Sequence, residues 1–137
     1  QYIRALINST NISDIKDSIK VAWDTGNGAA GEVLSSLVTS LPNENILINA
    51  EINGNFPAHH PDPSDPKNLE QLIDVVRSKN FDLGIALDGD GDRVGLVTRT
   101  GSIVWGDQIL ALLSKKVLKD NFSDRLRLYI ILSVETR

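Results

Sequence analysis

Cysteine is absent from the chain, which excludes disulfides, thiolate metal ligands and a cysteine nucleophile. Methionine is absent too, and the sequence opens at Gln1. A translated chain needs an initiator, so the expectation is a piece of something longer. No apolar run reaches the length of a membrane span and no signal-peptide pattern opens the sequence. The expected setting is therefore cytoplasmic, with no membrane partner. A basic patch is missing as well: Lys and Arg number 14 against 18 Asp and Glu, a formal net charge of −4. Without a cluster of cations no nucleic-acid partner is expected. There is no internal repeat and no low-complexity segment. What remains is 137 residues, 41% hydrophobic and 23% charged, the mix of a globular domain able to bury a core.

The apolar spacing divides the chain. Residues 1–18 read as a helical lead-in, with Ile3, Leu6 and Ile7 at helical spacing and Ser13-Asp14 placed to cap a further turn. Residues 19–23 read as a strand, stopped by Asp24-Thr25-Gly26-Asn27-Gly28. A helix over 29–41 carries Val33, Leu34, Leu37, Val38 and Leu41 on one face, and a second strand covers 46–48. Residues 53–66 form a long loop holding four of the five prolines. A helix over 68–78 turns Leu69, Leu72, Ile73 and Val76 inward. The strand at 81–87 is apolar with little alternation, the pattern of a strand buried on both faces. Strands at 94–98 and 103–105 follow as a hairpin, then a helix over 107–118 and a strand over 128–132. This alternation predicts an α/β fold of three α/β/α layers around a mixed, mostly parallel sheet of about four strands. Ligands of such sheets bind at the carboxyl ends of the strands, where both Asp- and Gly-rich turns fall.

The most informative segment is Ala86-Leu87-Asp88-Gly89-Asp90-Gly91-Asp92-Arg93. Asp88, Asp90 and Asp92 crowd three carboxylates into one turn, and their repulsion is costly unless a cation neutralises it. The intervening glycines let the backbone curl so that the side chains converge. Oxygen ligands suit a hard cation, and few protein ligands with open positions suit Mg²⁺. A solvated acidic turn is the bland alternative. A calcium loop of the EF-hand type requires Gly and Glu where Arg93 and Arg99 stand, and a helix where a strand leads in. A dehalogenase-type phosphatase motif fits Asp88 to Gly91, but Asp92 replaces its Thr and no later acidic pair is evident. A stand-alone metal-binding module without catalysis is a further alternative. In a phosphoryl-transfer site Arg93 would contact the metal-bound phosphate. Its plain alternative is a salt bridge to a nearby Asp.

Other candidates carry less. His59 and His60 are the only histidines, and neighbours in an extended chain point to opposite sides, so both on one metal is not expected. Pro57, Pro61 and Pro63 stiffen their loop, which reads as a rigid lining or domain contact. Gly26, Gly28 and Gly31 match a dinucleotide-binding fingerprint by spacing only. A phosphate cradle is conceivable there, but tight packing is the favoured role. Trp23 and Trp105 read as core or interface residues.

Asp88 to Arg93 resembles the metal-binding loop of the α-D-phosphohexomutases. Gly54-Asn55-Phe56-Pro57-Ala58-His59-His60-Pro61-Asp62-Pro63 and Asp24-Thr25-Gly26-Asn27-Gly28-Ala29-Ala30-Gly31 resemble two further motifs of that family, in the family's order. The Phe-Pro-x-His-His-Pro form is most similar to the bacterial phosphomannomutase/phosphoglucomutase branch. The resemblance implies a four-domain enzyme that interconverts hexose 1-phosphates and 6-phosphates through a phosphoserine and a bisphosphorylated sugar. It implies Mg²⁺ on Asp88, Asp90 and Asp92, with Arg93 near the phosphate and the hexose phosphate held mainly by other domains. It divides the chain into a linker helix at 1–18, the metal-loop second domain at 19–106, and the first helix and strand of the third domain at 107–137. No serine here is followed by histidine, so the family's nucleophile segment is missing and no catalytic residue is expected within the chain. Ser133 stands where the family often has an Asp.

Overall fold

Five short apolar runs build one mixed sheet in the order β2-β1-β3-β4-β5. The computed structural model describes residues 2–9 and 18–120. The strands are β1 (Lys20–Asp24), β2 (Glu44–Ile48), β3 (Leu83–Leu87), β4 (Val94–Thr98) and β5 (Ile103–Val104). The helices are α1 (Tyr2–Ser9), α2 (Gly31–Val38), α3 (Glu70–Ser78) and α4 (Gly106–Asp120). β1 pairs in parallel with β2 and with β3, β4 is antiparallel to β3, and β5 is antiparallel to β4. Four strands thus share one direction and only β4 opposes them. The sheet is mixed, as expected, with five strands rather than about four because the two-residue β5 pairs at the edge.

The chain steps from β1 outward to β2, then back across β1 to β3. Parallel crossovers are right-handed as a rule, and these two run in opposite directions along the sheet, which assigns α2 and α3 to opposite faces. On the α3 face, Leu69, Leu72 and Val76 are fully buried against Ala22, Ala86 and Val97. Gly84 makes this contact possible: a Cβ there would stand 2.9 Å from Val76 Cγ2 and 3.0 Å from Leu72 Cγ. Val21 points to the other face and is also buried, as is Leu34 of α2, both outside the α3-side cluster. α1 lies against α2.

The ends of α3 are set by local chemistry. Asp65 caps a short 3₁₀ turn at Pro66–Leu69 by accepting the Lys67 N–H at 3.0 Å, with Pro66 at the first position. At the other end Asn80 takes a left-handed φ of 54°. The Phe81 N–H then reaches the Val76 carbonyl and the Asn80 N–H the Arg77 carbonyl, a Schellman closure. That closure uses Phe81, so the strand begins at Leu83 rather than residue 81. Likewise the helix expected over 29–41 is confined to Gly31–Val38, because Ala29 and Ala30 belong to the turn after β1.

By contacts the chain divides into two units, Gln1–Val104 and Trp105–Arg137. In the second, α4 begins where the Gln108 side chain accepts the Trp105 N–H at 3.1 Å, half of a capping box. Ser13-Asp14, the strand expected over 128–132 and Ser133 lie outside the described residues. Among the described residues no helix is long and apolar enough to cross a membrane.

Candidate metal centre

The turns after β1 and β3 meet at the point where strand order reverses, the position at which such sheets bind ligands. Their contact is backbone on backbone. The Ala29 N–H donates to the Gly89 carbonyl at 2.8 Å, and a Cβ on Gly28 would stand 2.7 Å from that same oxygen. Gly31 is equally confined, against the Ala50 carbonyl. The glycines of residues 24–31 therefore serve close packing of turn on turn. Gly26 adds a φ of 51°, in the left-handed region that favours glycine.

Asp88, Asp90 and Asp92 converge: one carboxylate oxygen from each lies within 4.8 Å of the others. Asp88 is 3% exposed, and Asp90 and Asp92 face solvent. Asp88 Oδ1 accepts the N–H groups of Gly91 and Arg93, each at 3.0 Å, and Oδ2 accepts Arg93 Nε at 2.8 Å. Burial pushes the Asp88 carboxyl up, but the hydrogen bonds and charge of Arg93, joined by the Gly91 N–H, hold it below its ordinary value. Asp92 behaves oppositely. The negative charge of Asp90, then that of Asp88, pushes its carboxyl above its ordinary value. This repulsion, which Arg93 offsets only in part, in an all-oxygen set with two carboxylates open to solvent, fits a hard divalent cation.

Arg93 is a bridge. Its Nε bonds Asp88, its Nη1 bonds Asp62 Oδ1 at 3.1 Å, and Asp92 Oδ1 stands 3.9 Å from Nε. The salt-bridge alternative is thus realised, yet the side chain stays 57% exposed and Nη2 has no hydrogen-bond partner among the described residues. The Ser64 hydroxyl and N–H bond the Asp62 carboxylate and hold it below its ordinary value, with Arg93 adding to the effect. An open cleft of about 410 Å³ is lined by His60, Pro61, Asp88, Gly89, Asp90, Asp92 and Arg93.

The two histidines do diverge. His60 lines this cleft, whereas the His59 ring turns inward to the carboxylate of Asp24. Trp23 is half-buried with its indole N–H on Asn45 Oδ1, and Trp105 is 45% exposed rather than part of a core. Sequence reasoning missed Asp24, Asn27, Asn49 and Asp62 as builders of the site. Asn27 and Asn49 both adopt left-handed φ, and Asn27 holds the loop through its amide: Nδ2 donates to the Glu51 carbonyl and Oδ1 accepts the Ala58 N–H. The available signal was the placement of Asp24 at a strand end and of Asp62 between two prolines.

Comparison with known proteins agrees with this geometry. The family model described as phosphoglucomutase/phosphomannomutase, alpha/beta/alpha domain II, matches residues 1–101. A phosphomannomutase/phosphoglucomutase of Pseudomonas putida is 51% identical over 121 residues, covering 88% of this chain and 26% of the relative. A phosphoglucomutase of Neisseria gonorrhoeae is 43% identical over 107 residues, covering 78% of this chain and 23% of the relative. The crystal structure of a phosphoglucomutase/phosphomannomutase family protein from Burkholderia thailandensis superposes with a TM-score of 0.76 at 39% identity, covering 88% of this chain and 26% of that one. The chain thus spans about a quarter of the length of these relatives. It belongs to the phosphoglucomutase/phosphomannomutase family, of which it carries the α/β/α domain II.

Proposed function

We propose that this chain supplies the Mg²⁺-binding loop of a phosphohexomutase that interconverts hexose 1-phosphate and 6-phosphate, with mannose or glucose as the sugar. The observation that carries this reading is the convergence of Asp88, Asp90 and Asp92 at the switch point of the sheet. We assign residues 19–106 to the second domain and 107–137 to the start of the third, with the phosphoserine and the main sugar contacts on other domains. The cytoplasmic setting expected from the sequence is part of the same reading.

In this account Asp90 and Asp92 offer solvent-facing oxygens and Asp88 an anchored one. A Mg²⁺ held by them would act as a Lewis acid toward a phosphoryl group. Asp88 also orients Arg93 through Nε, and Asp62 holds Nη1, so the free Nη2 is available to hydrogen-bond a phosphate oxygen in the cleft. The backbone contact of Gly28 and Ala29 with Gly89 keeps the loop from splaying under the mutual repulsion of its carboxylates.

A domain graft tests the assignment. Residues 1–101 replace the matching segment of the Pseudomonas putida relative, and glucose 1-phosphate conversion to glucose 6-phosphate is followed. The graft should turn over, and Asp90→Asn should lower kcat about 100-fold or more. A folded graft without activity, or one indifferent to Asp90→Asn, would contradict the reading.

A further inference from the structure

Apart from Asp62, which holds Arg93, the proline-rich loop is left without a task by the reaction proposed above, although His60 and Pro61 wall the cleft. Its inward anchor is His59. Asp24, 1% exposed at the end of β1, accepts the Gly26 N–H and the Asn49 amide on Oδ1, each at 2.9 Å. Two donors thus occupy Oδ1 and leave Oδ2 to His59. His59 Nε2 stands 2.9 Å from the remaining oxygen, Oδ2. On the far side of the ring, Nδ1 lies 3.0 Å from the His60 carbonyl oxygen, which can only accept. Both neighbours of the ring offer an acceptor oxygen, so hydrogens on both nitrogens, as an imidazolium carries them, would satisfy both contacts. Neutralising a buried carboxylate is what such a pair achieves, since an unpaired charge at that depth is costly.

The clamp has a direction. The His60 carbonyl that takes Nδ1–H also takes the Asp62 N–H at 2.9 Å, closing a tight turn over residues 60–62. Pro61, in the middle of that turn, is buried against the turns after β1 and β3: Cβ atoms on Gly26 and Gly89 would stand 3.1 Å and 3.4 Å from its ring. Asp62, at the end of the turn, holds Arg93, which in turn holds Asp88. We propose that His59 is a positioning residue: an imidazolium clamped between Asp24 and the His60 carbonyl, fixing residues 60–62 against the metal loop. The clamp stands on its own geometry, whereas its consequence for metal affinity rests on the metal reading above.

The test uses this chain in three measurements. In the ring ¹⁵N spectrum at neutral pH, both His59 nitrogens should appear protonated, and an unprotonated nitrogen overturns the clamp. In His59→Phe, which keeps a ring but neither hydrogen bond, peptides covering residues 57–63 should exchange amide hydrogens about tenfold faster while β1 and α3 peptides stay as in the parent. Uniform acceleration along the chain, or none, overturns the positioning role. Mn²⁺ affinity should fall about tenfold in His59→Phe, the scale of a lost outer-sphere partner, and hold in Asn55→Ala, an exposed position of the same loop. An unchanged affinity in His59→Phe overturns the link to the metal. A parent chain that binds no Mn²⁺ overturns the metal reading, while the ring and exchange results still judge the clamp. Should His59→Phe fail to fold, the ring spectrum of the parent decides.

Discussion

Asp88 does two jobs at once, and they can be separated. It is the buried member of the carboxylate set and the acceptor for two N–H groups and a guanidinium. In Asp88→Asn the amide oxygen can keep the backbone donors, but the Nδ2 group then faces Arg93 Nε, donor against donor. Chemical denaturation should show a loss of about 2 kcal/mol, the scale of hydrogen bonds to a charged group. The acid limb of stability follows from the same contacts. Asp88 and Asp62 are both held below the ordinary value of 3.8. A lowered folded-state pKa adds stability that is complete above the unfolded value and lost as pH falls through the folded one. Unfolding midpoints should thus fall steadily once the pH drops below 3.8. Asp92, raised above that value, works in the opposite sense: its ionisation costs stability, and the cost is relieved as pH falls through its raised value. A midpoint that rises steadily through the acid range would contradict the pairing of Asp88 with Arg93. At Gly28 the space is closed by the Gly89 carbonyl oxygen, which would stand 2.7 Å from an added methyl carbon. Gly28→Ala should cost about 1–3 kcal/mol and loosen the metal loop, read by denaturation and by amide exchange at residues 88–92.

At the scale of elements, α3 carries the core and the proline-rich loop braces the candidate site. Leu72 has no exposed surface and sits over Gly84. Leu72→Ala should cost about 2–5 kcal/mol in denaturant unfolding, because the close helix–sheet contact leaves little room to collapse around the cavity. The apolar spacing of α3 was legible in the sequence, whereas β3 is buried only at Gly84 and Ala86, with Leu83, Ile85 and Leu87 half-buried on the other face rather than fully enclosed. The 3₁₀ entry to α3 and the Schellman exit were not anticipated, since each depends on a backbone conformation that the residue types permit without imposing. The loop at residues 53–66 was legible as stiff but not as a strap. Its anchors are long-range pairs, His59 with Asp24 and Asp62 with Arg93, separated by 35 and 31 residues. Nothing in local spacing reports such pairs. His59 and His60 do point apart, but in a bend rather than in an extended chain.

For the molecule as a whole, the order of strands decides what the motifs can do. β1 and β3 are neighbours only because the chain crosses back over β1, and this alone brings the Gly28 turn under the Asp88–Asp92 turn. Alternation of strands and helices in the sequence pointed to the class of fold, and the acidic turn pointed to the three carboxylates that converge. The hairpin of β4 and β5 was legible as well, whereas the long-range pairing of Arg93 with Asp62 emerges only from the assembled fold. The convergence of Asp88, Asp90 and Asp92 at that junction is the centre of the account. The most direct test is a Mn²⁺ titration of this chain followed by electron paramagnetic resonance, in the parent and in Asp90→Asn/Asp92→Asn. The account predicts a single weak site in the parent, because three carboxylates leave the coordination shell incomplete, and loss of that site in the double variant. Saturable binding that survives both substitutions, or none in the parent at millimolar metal, would contradict it.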